Sequence, residues 1–262
     1  MNTSGKHSIL SLAALLLCFS GWTQAFAQEH RDLEPEARQL MVLANQARAA
    51  AGVPPLRWDN ALAEAALKHT LRMAAEGPIA HQYPGELNVS ERAGFTGAHF
   101  DLIEENVAVG PTPAEIHDEW MHSKGHRENM LNPAVDSVGI AVVASRGVLY
   151  ATADYSHGVQ ALTQAQVESR VSELIQGAGV KVVADRRLAR AACLMDNGMP
   201  GSADTRQPTF VMRWEGSDLN HLPKQLVDRI ASRPFTAAAV GSCDAHGDQG
   251  TFTSYRVAVL LY

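Results

Sequence analysis

Apolar residues recur along this chain first at helical intervals and later in short continuous runs. In "LEPEARQLMVLANQARAAAG", Leu40, Leu43, Ala44 and Ala47 form one stripe, and Gly52 with the prolines behind it ends the pattern. The spacing predicts a first helix. "DNALAEAALKHTLRMAAEG" predicts a second, with Asp59 or Asn60 as cap, Leu62, Ala66, Leu67 and Met73 on its apolar stripe, and Gly77-Pro78 as the stop. "TPAEIHDEWM" opens a third: Thr112 caps, Pro113 suits the first turn and Glu115 completes a capping box. "SVGIAVVAS" and "GVLYATADY" are β-rich runs that meet at Ser145-Arg146-Gly147, which predicts an antiparallel hairpin.

Past a weak linker from about His157 to Ala165, part of this pattern returns. "GVPPLRWDNALAEAA" from Gly52 resembles "GVKVVADRRLARAA" from Gly179 once one residue is deleted. That alignment pairs Asp59 with Asp185, Leu62 with Leu188 and Ala66 with Ala192. "LNHLPKQLVDRIAS" predicts a further helix, and "AVGSCDA" with "SYRVAVLLY" a second hairpin. The expectation is a first domain over residues 33–158 and a smaller α+β domain over 163–262, the latter a degenerate internal repeat. Chance recurrence of one helix-turn pattern is the alternative.

The first 27 residues read as an export signal: Lys6 and His7, an apolar run "ILSLAALLLCFSG", and small residues at Ala25–Ala27 for cleavage. The run is shorter than the ~20 apolar residues a spanning helix needs. A lipid-anchor reading through Cys18 is weakened by bulky Leu17 before it. These features predict a secreted protein, periplasmic or extracellular, and not an integral membrane protein. The whole chain has 22 Lys+Arg and 28 Asp+Glu; cleavage after Ala27 removes Lys6 alone, so the mature charge is 21 − 28 = −7. With no basic run, nucleic acid is excluded as an expected partner. Cys193 and Cys243 remain after cleavage; an oxidising compartment lets them pair as a disulfide, with two buried thiols as the near alternative.

Three places hold polar residues that core packing does not explain: His81 in "GPIAHQYPG", Glu105-Asn106 in "EENVAVG", and His126-Arg127 in "WMHSKGHRENMLNP". Two imidazoles and a carboxylate can bind a divalent metal with an open position for water, or form a metal-free hydrogen-bonded cluster. Separations of 24 and 21 residues are no local metal signature. In the last stretch Gly125 is read as the point where the backbone turns sharply out of the third helix and carries His126 round, with Arg127 and Asn129 tying the loop and Met130 and Leu131 anchoring it. His69 is assigned to the surface or rim, His99 and His117 get no role, and Trp58 and Trp120 are placed in the core.

"GVPPLRWDNALAEAA", "HQYP…ERAGFTG", "EENVAVG", "WMHSKGHRENMLNP" and "VGIAVV" stand in an order that resembles the CAP superfamily of cysteine-rich secretory proteins, antigen 5 and pathogenesis-related proteins, in its bacterial secreted branch. The resemblance covers roughly Glu36 to Tyr155. It implies an α+β chain: an α-β-α sandwich with a small antiparallel sheet between helical layers, and a cleft lined by two histidines and acidic residues. His81 and His126 match the family histidines. Glu105 matches the glutamate of a G-E-N motif, with Glu104 in place of the glycine. The second acidic position is Ser123 here, and nearby Glu119 and His122 do not occupy it.

Three functions follow as expectations. The first is a secreted binding module. Its cleft holds a divalent metal, zinc foremost, through His81 and His126, with Glu105 beside them and Asn106, Gly125, Arg127 and Asn129 as support; the ligand is a lipid, a cell-wall component or an extracellular protein. The second is a zinc hydrolase with Glu105 as general base, which the loss of the acidic residue at Ser123 disfavours. The third is a structural envelope protein that docks through its C-terminal half.

Overall fold

The computed structural model describes residues 34–201, 207–245 and 251–262. The export signal expected at residues 1–27 lies outside them. Helices α1 (Pro35–Ala50) and α2 (Asn60–Glu76) form where the apolar spacing places them. Asp59 caps α2 by accepting from the Ala61 and Leu62 amides at 2.8 and 3.0 Å. A short strand β1 (Arg57–Trp58) precedes α2, and a short helix α3 (Val89–Phe95) starts at a full capping box between Asn88 and Glu91. Neither is predicted above. Strand β2 (Phe100–Gly110) follows, then α4 (Pro113–His122), α5 (Lys124–Leu131) and the expected hairpin of β3 (Ser137–Ser145) and β4 (Val148–Gly158).

The sheet order is β1-β3-β4-β2, with β1 parallel to β3 and the other pairs antiparallel. Alternation along the strands gives the sheet two apolar faces. One buries Ala108, Ile140 and Ala153 against Leu40, Met41 and Ala44 of α1 and Ile116 and Trp120 of α4. The other carries Phe100 against Leu62 and Ala65 of α2 and Ala93 of α3, and Val107 against Met73. This is an α-β-α sandwich. Trp120 is fully buried, whereas Trp58 is half-buried at the edge of the core, and Leu67 of the expected α2 stripe faces solvent.

The chain beyond residue 163 builds a second, smaller sandwich. Helix α6 (Gln164–Gly177), with a capping box at Thr163, and helix α8 (Lys224–Ser232) cover one face of a sheet of β5 (Phe210–Gly216), β6 (Ala238–Cys243) and β7 (Tyr255–Leu261). Helix α7 (Arg187–Cys193) covers the other face. The order β5-β7-β6 matches β2-β4-β3, and an isolated parallel bridge from Val182 to Ala238 stands where β1 meets β3. Cys193 and Cys243 form a disulfide with Cα atoms 5.9 Å apart.

Both sheets cross a helix at a glycine. A Cβ on Gly139 would lie 2.0 Å from the Ala63 amide nitrogen, and one on Gly241 would lie 2.2 Å from that of Arg190. Only a residue without Cβ admits such an approach. The crossing places Ala189 in the position of Leu62, one residue beyond the Leu188 that the sequence alignment pairs with it. Buried Leu62, Ala65 and Ala66 thus correspond to buried Ala189, Ala192 and Cys193. The row of residues across the first sheet at this level is Glu105, Asp154, Gly139; across the second it is Arg213, Ala258, Gly241.

Candidate functional site

Strand β2 is the outer strand of its sheet, so residues from both helical layers reach round its free edge. Glu105 lies in mid-strand and is 7% exposed. From the loop after α2, His81 sets its Nδ1 2.9 Å from Glu105 Oε1. From α3, Arg92 donates through its guanidinium to Glu105 Oε2, to the Leu87 carbonyl at 2.9 Å and to the His81 carbonyl at 3.3 Å. Arg92 is buried, so one guanidinium fixes both the carboxylate and the backbone that carries the imidazole. Sequence reasoning gave Arg92 no role. Its one local signal is its place within "NVSERAGF", a capped helix just past His81.

The second imidazole arrives from the opposite layer. Asn106 is fully buried and donates from Nδ2 to the His126 carbonyl at 2.9 Å, while its Oδ1 accepts from Asn129 at 3.0 Å. Asn129 also contacts the Glu105 carbonyl at 3.2 Å. This ladder ties α5 to β2. Burial lowers the affinity of His126 for a proton, with the neighbouring His81 adding to the effect and Glu119 opposing it. The bond to Glu105 raises that of His81, against partial burial. His81 is the exposed ring, and His126 Nδ1 is buried with no protein partner.

Two expected supports behave differently. Gly125 is not a turn: it lies inside the first turn of α5, with no positive φ, and a Cβ there would touch nothing within 4 Å. The chain breaks at Ser123, which ends α4 and begins α5 with extended backbone (φ −85°, ψ 123°). Arg127 is exposed, and its contact to the Met121 carbonyl, at 3.5 Å, is at the limit of a hydrogen bond. The residue that holds the segment after α5 is Arg48 of α1. It is fully buried and donates to the carbonyls of Met130, Asn132, Val135 and Pro54 at 2.7–3.0 Å. His69, assigned above to the rim, is also wholly buried, between Glu86 Oε1 and the Ala80 carbonyl, each at 2.8 Å, and so holds the loop that leads to His81. His122 is exposed and bonds to its own helix.

Beneath Glu105 lies Asp154, its partner across the sheet, with no exposed surface. Burial, with the Glu105 carboxylate beside it, holds the Asp154 carboxyl well above the usual range.

Residues 42–155 match the family model described as "CAP: Cysteine-rich secretory protein family". This part of the chain is a CAP domain. The protein YkwD of Bacillus subtilis is 30% identical to it over 112 residues, which are 42% of this chain and 44% of YkwD. The membrane protein YlbC of the same organism is 28% identical over 109 residues, 40% of this chain and 31% of YlbC. The match thus spans less than half of each relative. Among solved structures, an extracellular SCP-domain protein from Bacillus anthracis is 25% identical with a TM-score of 0.43, covering 47% of this chain and 44% of that one. An outer surface protein from Borrelia burgdorferi is 18% identical with a TM-score of 0.45, covering 48% and 96%. Among the described residues no helix is long and apolar enough to cross a membrane.

Two imidazoles, His81 and His126, stand near enough for one to feel the other's charge, and each could offer a ring nitrogen to a divalent cation. The carboxylate on His81 Nδ1 leaves Nε2 as the donor atom, the arrangement in which a second-layer carboxylate orients a ligating histidine. His126 is kept neutral, as a ligand must be. Among the described residues no three His, Cys, Asp or Glu side chains converge on one point. Two imidazoles are fewer than the three protein ligands of a catalytic zinc site, and a cation held by them would draw its remaining donors from solvent or a ligand.

Proposed function

We propose that this is an exported binding protein whose CAP cleft takes a divalent cation, zinc foremost, between His81 and His126 and uses it to engage a lipid, cell-wall or protein ligand in the envelope. The carrying observation is the double engagement of Glu105, one oxygen on His81 and the other on Arg92. A general base needs a free oxygen facing a water, and this carboxylate is committed to orientation instead. That favours binding over the zinc hydrolase and gives the cleft a purpose beyond a structural envelope role. When bound, the cation supplies an electrophilic anchor for a ligand oxygen. The protein residues hold the two rings, fix the His81 tautomer and keep His126 unprotonated. The second sandwich is read as a degenerate copy in which Arg213 and Ala258 stand where Glu105 and Asp154 stand in the first.

Metal analysis and zinc titration of the purified mature chain test this reading, with the His81→Ala/His126→Ala double variant as control. One equivalent of zinc, absent from the variant and accompanied by shifts of both imidazole signals, is the expected result. No saturable zinc binding by the wild type, or equal binding by the variant, would refute it. Turnover of peptide, ester or glycan substrates lost on Glu105→Gln would restore the hydrolase.

A further inference from the structure

Away from the CAP cleft, three adjoining cavities of 820, 1010 and 430 Å³ meet at the end of the first sheet. The first and last share Asp101 and His157 in their walls, and the first and second share Gly158, Val159 and Gln160, so the three hollows adjoin in a row along the seam. The 820 Å³ section lies between the two sandwiches and draws walls from both. Asp101 joins them: it accepts from the Ser217 hydroxyl of the second unit and pairs with His157 Nδ1 at 2.6 Å. Across the groove Asp218 Oδ2 holds His221 Nδ1 at 3.0 Å, and Arg170 donates to Asn220 Oδ1 at 2.6 Å. Both imidazoles are thereby fixed through Nδ1, which leaves Nε2 free for a ligand.

We propose that this seam groove binds a neutral, linear glycan. Three features point to that class. The hollows stand in a row, and the two larger ones each reach the ~300–1,000 Å³ of a small-molecule site, which suits an oligomer laid across them. Their walls offer planar side chains that donate and accept, namely His157, His221, Asn220, Arg170 and Gln160, the inventory that pairs with hydroxyl and acetamido groups. Two aromatic residues, Trp58 in one section and Tyr255 in the other, line the walls and are of the type whose flat rings pack on sugar rings. Charge excludes the polyanions. The linings hold five carboxylates, Asp59, Asp101, Asp136, Glu173 and Asp218, against two arginines, Arg57 and Arg170. None of the CAP cleft residues lines these cavities, so the inference stands apart from the metal reading.

The test is calorimetric titration of the full mature chain with a β-1,4-linked N-acetylglucosamine tetramer, and separately with a glucose tetramer. A heparin-type polyanion and an unstructured neutral peptide serve as comparison ligands. Saturable binding of at least one neutral tetramer is expected, weakened at least tenfold by Trp58→Ala and by Arg170→Ala/His221→Ala, and unchanged by His81→Ala/His126→Ala. Arg170 and His221 are exposed, so the second variant decides the question if Trp58→Ala destabilises the core. The proposal is overturned by no saturable binding of either tetramer, by binding that Arg170→Ala/His221→Ala leaves intact, or by tighter binding of the polyanion or the peptide.

Discussion

Replacing Arg48 with methionine tests how His126 is held. The guanidinium is fully buried and serves four carbonyl oxygens, of which the bonds to Met130 and Val135 are wholly buried. Methionine fills much of the volume but donates nothing. A buried acceptor left unmet costs ~1–3 kcal/mol, so two such carbonyls cost ~4 kcal/mol, with the two partly wetted ones recovering water. In a chain of this size ~1 kcal/mol corresponds to ~2–4 °C, so the unfolding midpoint of the first sandwich is expected to fall by ~8–16 °C. The second sandwich has its own core, so differential scanning calorimetry should show the fall in one transition and not in the other. Zinc titration adds a functional readout, because the freed segment follows directly on the helix that bears His126; weaker zinc binding is expected in variant that remains folded. Arg48→Lys, which keeps the charge but loses the fork, should lie between the two. A midpoint within 2 °C of the wild type, by the ~2–4 °C scale, would refute the assignment of Arg48 as the clamp.

Further outcomes follow from other residues. Gly139→Ala and Gly241→Ala each drive a methyl group into helix backbone and are expected to cost ~3 kcal/mol, at the upper end for overpacking, whereas Gly125→Ala should be neutral or stabilising by up to ~1 kcal/mol; urea unfolding separates the three. Asp154 has a folded-state pKa raised above the unfolded value of ~3.9, so its contribution to stability is intact below that value and is lost as pH rises through the folded pKa. Asp154→Asn should therefore match the wild type near pH 3.5, estimated from that unfolded value, and exceed it progressively at higher pH; an equal gain at all pH values would show that the carboxyl does not hold its proton. Reducing the Cys193–Cys243 bond, which closes a separation of 50 residues, is expected to cost the second sandwich ~4 kcal/mol by loop entropy and to leave the CAP domain transition in place.

Elements signalled by local chemistry were legible in the sequence. Thr112 accepts from the Glu115 amide at 3.2 Å, Asp59 caps α2, and Arg146 and Gly147 take the positive φ that the hairpin turn requires. Strand β2 was not legible as a strand. Its central Glu104 and Glu105 break the apolar alternation, and what stabilises them there, Asn132 for one and His81 with Arg92 for the other, comes from elsewhere in the chain. Arg48 reads in sequence as the polar side of a helix; its partners are 82 to 87 residues away, except for Pro54. Gly125 was misread because glycine is a frequent breaker, while the actual break uses Ser123, whose extended dihedrals any residue can adopt. His69 and His81 look alike in sequence. Glu86 and the Ala80 carbonyl draw the first inward, whereas the second, bonded to Glu105, keeps most of its ring exposed.

The glycine crossing lets one architecture be used twice with different side chains set across it. Where the first sheet sets an acidic pair, Glu105 over Asp154, the second sets a guanidinium over a methyl group. The second row offers no carboxylate to orient an imidazole, so the arrangement around Glu105 has no counterpart there to take its place.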